Sequence, residues 1–337
     1  MMRPIEIVGG GLAGLSLGLA LRRGGVPVTL HEAGRYPRHR VCGEFISGLS
    51  PDTIERLGLT SALAGALRHV DVAWSVGRGP ARHQTLPQPA LALSRHVLDT
   101  RLAREFAAAG GDLRTGSRQD AGARPGRVIA TGRPRAAEPV WLGLKAHWSQ
   151  LPLAQPLEMH VGTEGYVGLA QVAEGVNVCG LFRRRPVSGR GGALLIEYVR
   201  SAGLPLLAER LAAATCHEES FCAVAALEFG RRPAPASGIH LGDAGATIPP
   251  FTGHGMAMAF EGADAALLSL LAYAEGRIDW EAAERAVATA LRRRFRMRLA
   301  WAGLLHPFLL EPRRRRWFES LHRAHLVPFR PLYAALH

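Results

Sequence analysis

Apolar runs and amphipathic stretches alternate along the start of the chain, and they predict a strand–helix–strand unit. Ile5, Ile7 and Val8 are β-branched and apolar, as a buried parallel strand requires. Leu12 to Arg23 reads as a helix broken only by Gly14 and Gly18, and Val26 to Leu30 as a second strand. Ser50 as N-cap with Pro51 behind it starts a short helix that stops at Gly58. Val70 to Val76 reads as a strand and Pro87 to Pro89 as a turn. Ser94 caps a helix from Arg95 to Ala109, ended by Gly110-Gly111. Asp112 to Thr115 and Arg127 to Ala130 form two more short strands.

The pattern then changes. From Val140 to Phe182 strands follow one another without helices: 141–148, 157–161, 166–169 and 176–182, with Gly and Pro turns between them. This predicts an antiparallel sheet, a different layer from the opening unit. Helices at 192–200 and 204–214 precede a strand at 221–229. Ile239 to Leu241 is a strand running into Gly242-Asp243, and Met256 to Tyr273 is a helix. Trp280 to the C-terminus is helical and basic. The Pro-Arg-Gly stretch from Gly122 to Pro139 is the most linker-like segment.

The first turn carries chemistry. Gly9, Gly11 and Gly14 fit G-x-G-x-x-G between strand and helix. The first Gly makes the tight turn, the second lets a diphosphate approach the backbone, and the third packs helix on strand. The helix start offers free N–H groups and a positive dipole end to an anion. Glu32, at the end of the second strand, is placed to hydrogen-bond a ribose hydroxyl and to repel a 2′-phosphate. The nucleotide is therefore the ADP part of FAD or NAD. A secretory signal is the bland alternative, but five glycines interrupt that apolar run.

Composition narrows the field. With 337 residues, 47% hydrophobic and 20% charged, the chain is a folded globular protein. No stretch of about 20 apolar residues lacks a charge or breaker. Four cysteines (Cys42, Cys179, Cys216, Cys222) show no metal-ligand spacing, and reduced thiols in the cytoplasm are the expectation. The net charge of +13 is nearly all Arg, since Lys145 is the single lysine. No zinc spacing, basic zipper or RNP-like box accompanies it, so nucleic acid is not an expected partner. The run Arg313–Arg316 reads as a solvated helix face in preference to a membrane contact.

A second glycine-rich site, Gly242-Asp243 followed by Pro250-Phe251-Thr252-Gly253-His254-Gly255-Met256, points past NAD. Together the two sites resemble the FAD-dependent p-hydroxybenzoate-hydroxylase-like superfamily of flavin monooxygenases, halogenases and geranylgeranyl reductases. The nearest look is to the reductase and halogenase-like branch, through Val41-Cys42-Gly43-Glu44-Phe45-Ile46-Ser47 and Ser94-Arg95-His96. The resemblance implies an α/β fold: a three-layer Rossmann-like FAD domain (1–69, 91–135, 231–275), an inserted antiparallel substrate sheet (70–90, 136–230) and a helical C-terminal region (276–337). It implies non-covalent FAD held by Gly9, Gly11, Leu12, Ala13, Gly14, Glu32, Arg40, Arg95, Asp243, Pro250, Gly253, His254, Gly255 and Met256. Asp243 would meet the ribityl chain, and the loop at Gly253–Met256 the pyrimidine edge. His254 and Cys42 are the candidate catalytic residues.

Each candidate has a plainer reading. Cys42 serves equally as a small buried hydrophobe. His254 is an exposed loop residue or a proton donor beside the flavin. Arg40 and Arg95 are solvated charges or cofactor contacts. Tyr166 reads as sheet packing, and His147 and Trp148 face either the pocket or the core. Gly168 and Ala170 stand where the reductases carry aromatics, which argues against a long polyprenyl substrate. No Trp-x-Trp-x-Ile-Pro argues for a tryptophan-type halogenase. Ala130-Thr131-Gly132 stands near the hydroxylases' Asp-Gly motif, so reduced flavin is expected by a route other than a dedicated NADPH pocket: NAD(P)H in passing, or a separate reductase or carrier. The resulting expectation is a flavin monooxygenase acting on a small apolar or aromatic substrate. The alternatives are a double-bond reductase and a FAD- or NAD-binding protein without catalysis.

Overall fold

Ile5, Ile7, Leu30 and Val128 are fully or almost fully buried because they point to one face of a parallel sheet, into the main hydrophobic core. The computed structural model describes all residues except 78, 134–139, 226, 228, 232–237 and 337. The end of the linker-like stretch, and residues 226 and 228 of the strand expected at 221–229, lie outside the described residues.

The chain opens with β1 (Ile5–Val8), α1 (Leu12–Arg23), β2 (Val28–Glu32), β3 (Phe45–Ile46), α2 (Pro51–Leu57), β4 (Leu67–Val76) and β5 (Arg82–Ala92). It continues through α3 (Arg95–Ala108), β6 (Asp112–Thr115), β7 (Arg127–Ile129), β8 (Trp141–Ser149), β9 (Leu157–Val161), β10 (Gly165–Val172) and β11 (Gly175–Arg183). Then come α4 (Gly191–Ser201), α5 (Pro205–Ala212), β12 (Thr215–Ala225), β13 (Gly230–Arg231), β14 (Ile239–His240) and β15 (Ala246–Thr247). Four helices close it: α6 (Gly255–Ala274), α7 (Trp280–Leu310), α8 (Pro312–Arg323) and α9 (Phe329–Leu336).

The first layer is a parallel sheet in the order β14-β7-β1-β2-β6. Helix α1 is buried from Leu12 to Leu21 because α3 and α6 pack on it as well as the sheet. Gly18 allows this: a Cβ there would sit 3.0 Å from the Phe106 ring of α3. Burial of a side chain such as Phe106 is worth about 1.5–3 kcal/mol. Both expected caps form, Ser50 Oγ accepting from Thr53 N at 3.2 Å and Ser94 Oγ from His96 N at 3.2 Å. Helix α6 is long and apolar enough by composition to cross a membrane. Here it lies between α1 and α7, and its two carboxylates are engaged: Glu261 with Arg298, Asp264 with Arg56.

The second sheet has the order β12-β8-β11-β10-β9-β4-β5-β3. It is antiparallel as expected except at one pairing: β4 and β9 run in parallel, Val72 opposite Leu157. No hairpin joins them; the chain passes through α3, β6 and β7 in between, which frees their direction. The turn read at Pro87–Pro89 is also corrected. Both prolines lie inside β5, where the register jumps from His69–Ala90 to Asp71–Thr85 and the ladder needs no N–H. Strand β12 begins at Thr215, earlier than the pattern indicated, since a register shift between His217 and Cys222 hides its alternation. On β8, Leu144, Ala146 and Trp148 turn to a second core under α4 and α5. Lys145 and His147 point the other way, as the two-residue strand period requires.

Candidate functional site

The carboxyl ends of β1, β7, β14 and β2 share one edge of the parallel sheet, and β1 and β7 part there to opposite sides. Crevices at such a point bind ligands in open α/β sheets. Gly9 has φ +115°, and a Cβ there would lie 2.2 Å from the Ala130 carbonyl oxygen. A Cβ at Gly14 would lie 2.0 Å from the Gly9 carbonyl oxygen, so α1 sits hard on the turn. A Cβ at Gly11 would meet nothing within 4 Å beyond its own helix and chain neighbours, among the described residues. The helix start carries no side-chain cap and no acid in its first turn, leaving the N–H groups of Leu12, Ala13 and Gly14 without helical acceptors.

Glu32 braces this loop. Its Oε2 accepts from Gly10 N at 2.9 Å and its Oε1 from Gly34 N at 2.7 Å. Tyr36 donates to the Gly10 carbonyl at 2.6 Å. Burial raises the Glu32 carboxyl, but the Gly34 N–H, the Arg40 charge and the Gly10 N–H outweigh it and hold it below its ordinary value. Arg40 lies beside the loop, 3.4 Å from Glu32 and 2.9 Å from Asp99. Arg95 grips the same buried Asp99 through two bonds, at 2.7 and 2.8 Å. The two arginines are thus joined through one carboxylate, which the sequence did not reveal.

The second glycine site reaches the first. A Cβ at Gly242 would touch that of Ala13 at 3.2 Å. Asp243 pairs with Arg133 Nε at 3.0 Å. Pro250 opens a short 3-10 turn, Gly253 has φ +72°, and α6 starts at Gly255-Met256 with no side-chain cap and no acid in its first turn. Among the described residues, nothing outside its own helix and chain neighbours lies within 4 Å of a Cβ at Gly255. His254 is buried, 1% exposed, so it is not an exposed loop histidine. Tyr166 is a brace: its hydroxyl accepts from Phe251 N at 3.3 Å, under the loop. The Gly-Asp turn and the start of α6 border a cavity of about 280 Å³ whose other wall is α7, at Phe295 and Leu299. Two uncapped helix starts with open glycine surfaces, the first against the Gly-Asp turn, fit a dinucleotide with one anionic group for each.

Between the two sites runs the segment 39–46. Phe45 lies against Gly253, where a Cβ would meet its ring at 2.3 Å. Asn177 Nδ2 holds the Cys42 carbonyl at 3.0 Å, and Cys42 Sγ accepts from Glu44 N at 3.5 Å. Burial pushes the Cys42 thiol up, so it is a thiol and not a thiolate nucleophile at neutral pH. All four cysteines are free. Below this segment lies a polar cluster that the sequence reading missed: Glu44 and Lys145, both wholly buried, with His147 and His39. Its signal was the single lysine, placed in an apolar strand.

No sequence-family model matches the chain, and no curated protein sequence does. Solved structures do. The flavin-dependent brominase Bmp2 is similar with a TM-score of 0.74 at 17% identity, over 98% of this chain and 92% of that one. PqsL of P. aeruginosa, in complex with 2-aminobenzoylacetate, is similar with a TM-score of 0.72 at 16% identity, over 92% and 97%. A geranylgeranyl bacteriochlorophyll reductase-like protein from Thermoplasma acidophilum gives 0.74 at 16%, over 94% and 90%. Over nearly its whole length, the chain therefore has the fold of these solved structures.

Proposed function

We propose that the chain is an FAD-dependent oxidoreductase, and within that class a monooxygenase acting on a small apolar or aromatic substrate. The observation that carries the reading is the pair of open, uncapped helix starts, at Gly11–Gly14 and Gly255-Met256, the first of them against the Gly242-Asp243 turn through Ala13. The first would hold the diphosphate. Asp243, with Arg133, would meet the ribityl chain, and Gly253 to Met256 the pyrimidine edge. When bound, the flavin supplies the two-electron chemistry. The chain's own residues orient it. Phe45 packs on Gly253 and Tyr166 holds the Phe251 N–H, and the α6 dipole favours negative charge at that edge. Glu32 and Tyr36 keep the Gly10 turn closed.

Gly168 and Ala170 support the monooxygenase, since the aromatics of the polyprenyl reductases are missing there. A double-bond reductase is the second reading, favoured by the Cys42-Gly43-Glu44 segment. The test is anaerobic mixing with NADH, NADPH or dithionite, then labelled dioxygen or an unsaturated substrate. Labelled oxygen in an organic product supports the monooxygenase. Reoxidation by an unsaturated substrate without oxygen replaces it with the reductase. Fast bleaching by NADPH alone refutes the expectation that electrons arrive through a separate carrier.

A further inference from the structure

Lys145 and Glu44 play no part in the cofactor contacts above, yet both are wholly buried, on β8 and on the segment that meets Gly253. Taking such charges out of water costs several kcal/mol per ion, and apolar residues of similar volume usually hold a fold as well. Stability therefore does not explain the pair. Glu44 is also held at φ +58°, a left-handed backbone that a Cβ disfavours. Strain and buried charge coincide one residue from Phe45.

The contacts run in a line. His147 Nε2 is 2.6 Å from Glu44 Oε2, Glu44 Oε1 is 3.2 Å from Lys145 Nζ, and Lys145 Nζ is 3.2 Å from His39 Nδ1. An ammonium only donates, so His39 Nδ1 accepts and the ring proton sits on Nε2. Burial, then the Lys145 charge, push His39 down to about 4, so its ring is neutral at neutral pH. His39 is the half-buried end, stacked on His96 of α3 at 4.4 Å. Arg95 of α3, Cys42 of the loop, Cys179 of β11, Cys222 of β12 and the arginines Arg38, Arg40 and Arg133 make up the remaining charged and titratable surroundings. His39, Glu44 and His147 bring ligand atoms within 4.8 Å of one another. Lys145 Nζ, 3.2 Å from two of them, fills that space with positive charge, which opposes a divalent ion.

Resting on the flavin reading, we propose that His39, Lys145 and Glu44 form a proton-delivery relay, with His39 the catalytic acid and Lys145 its proton reservoir. The His39 Nε2–H bond breaks as its proton passes to an oxygen atom that gains negative charge during reoxidation. His39 Nδ1 takes a proton from Lys145 Nζ, leaving a neutral amine beside Glu44. Glu44 is the positioning residue. A solvent proton entering at His39 resets the line. With dioxygen as oxidant, two electrons and one proton come from the reduced cofactor, and the relay supplies the second proton of hydrogen peroxide.

The test mixes dithionite-reduced, flavin-loaded protein with oxygenated buffer in H₂O and D₂O across a range of pH. The wild type should show a solvent isotope effect. Lys145→Met and His39→Gln should reoxidise on the order of 100-fold more slowly and lose the wild-type pH profile. Lys145→Arg keeps the charge but cannot release a proton, so it should be slow as well. Wild-type rates in either lysine variant overturn the relay; rescue by Arg alone means that the pair is structural. A measurement on the unaltered chain stands beside these, should the variants not fold. Labelling lysine with ¹⁵N at Nζ gives one signal, because there is one lysine. An ammonium shielded from solvent exchange is expected, and a neutral amine or a freely exchanging ammonium overturns the proposal. Protein that takes up no flavin refutes the cofactor reading, and the lysine signal still judges the buried charge separately.

Discussion

Replacing Glu32 by Ala removes one acceptor from two backbone donors at once. Gly10 N and Gly34 N lose bonds of 2.9 and 2.7 Å, and Arg38 and Arg40 each lose a partner at 3.4 Å. A hydrogen bond to a charged group is worth about 1.5–3 kcal/mol. Gly10 is buried and Gly34 only partly so, so water recovers some of the second bond. The expected loss of stability in the flavin-free protein is about 3 kcal/mol. Flavin affinity falls further, because the turn that holds the diphosphate is no longer closed; each 1.4 kcal/mol is about tenfold in Kd. Glu32→Gln, with one acceptor oxygen in place of two, falls between. The held-down Glu32 carboxyl contributes stability that is present above the ordinary carboxylate range and is lost as pH falls through its folded value. The variant should lack this part of the acid transition. Urea unfolding of the flavin-free proteins and a fluorescence titration with FAD measure the two effects. A flavin-free Glu32→Ala as stable as the wild type would refute the brace, and unchanged FAD affinity would remove Glu32 from the site.

Gly14→Ala should destabilise the flavin-free chain by about 1–3 kcal/mol, because its Cβ meets the Gly9 carbonyl at 2.0 Å. Gly11→Ala should leave that stability nearly unchanged and weaken flavin binding; equal melting shifts in both variants would contradict the division of roles. Tyr166→Phe removes the hydroxyl that accepts from Phe251 N, and should cost about 1 kcal/mol while flavin is retained. For Glu158, burial is outweighed by His160, Arg210 and the Ala154 N–H, which bring it down to about 2. Its contribution, on the order of 3 kcal/mol, should be complete above its ordinary value and lost as pH falls toward the folded one; acid unfolding of Glu158→Gln should lack that step.

The parallel layer was legible because its signals are local. Apolar strands, glycine turns and Ser caps each lie within a few residues of what they determine. The second sheet was less so. The β4–β9 pairing joins residues far apart in sequence, and the shifts in β5 and β12 break the period that marks a strand. Of the site, the glycines were readable from spacing. The partners of Glu32 were not, since Gly10 N and Gly34 N carry no side chain to mark them. Asp99 looked like an ordinary helix residue until Arg40 and Arg95 converged on it. The Glu44–Lys145–His147 cluster assembles across two elements that only the fold brings together.

Flavin content tests the central claim most directly. The purified chain, precipitated with acid, should release a yellow supernatant with one FAD per chain, and the stripped protein should regain FAD and gain thermal stability with it. Colourless protein that takes up no FAD, or that is stabilised by NAD alone, would contradict the account.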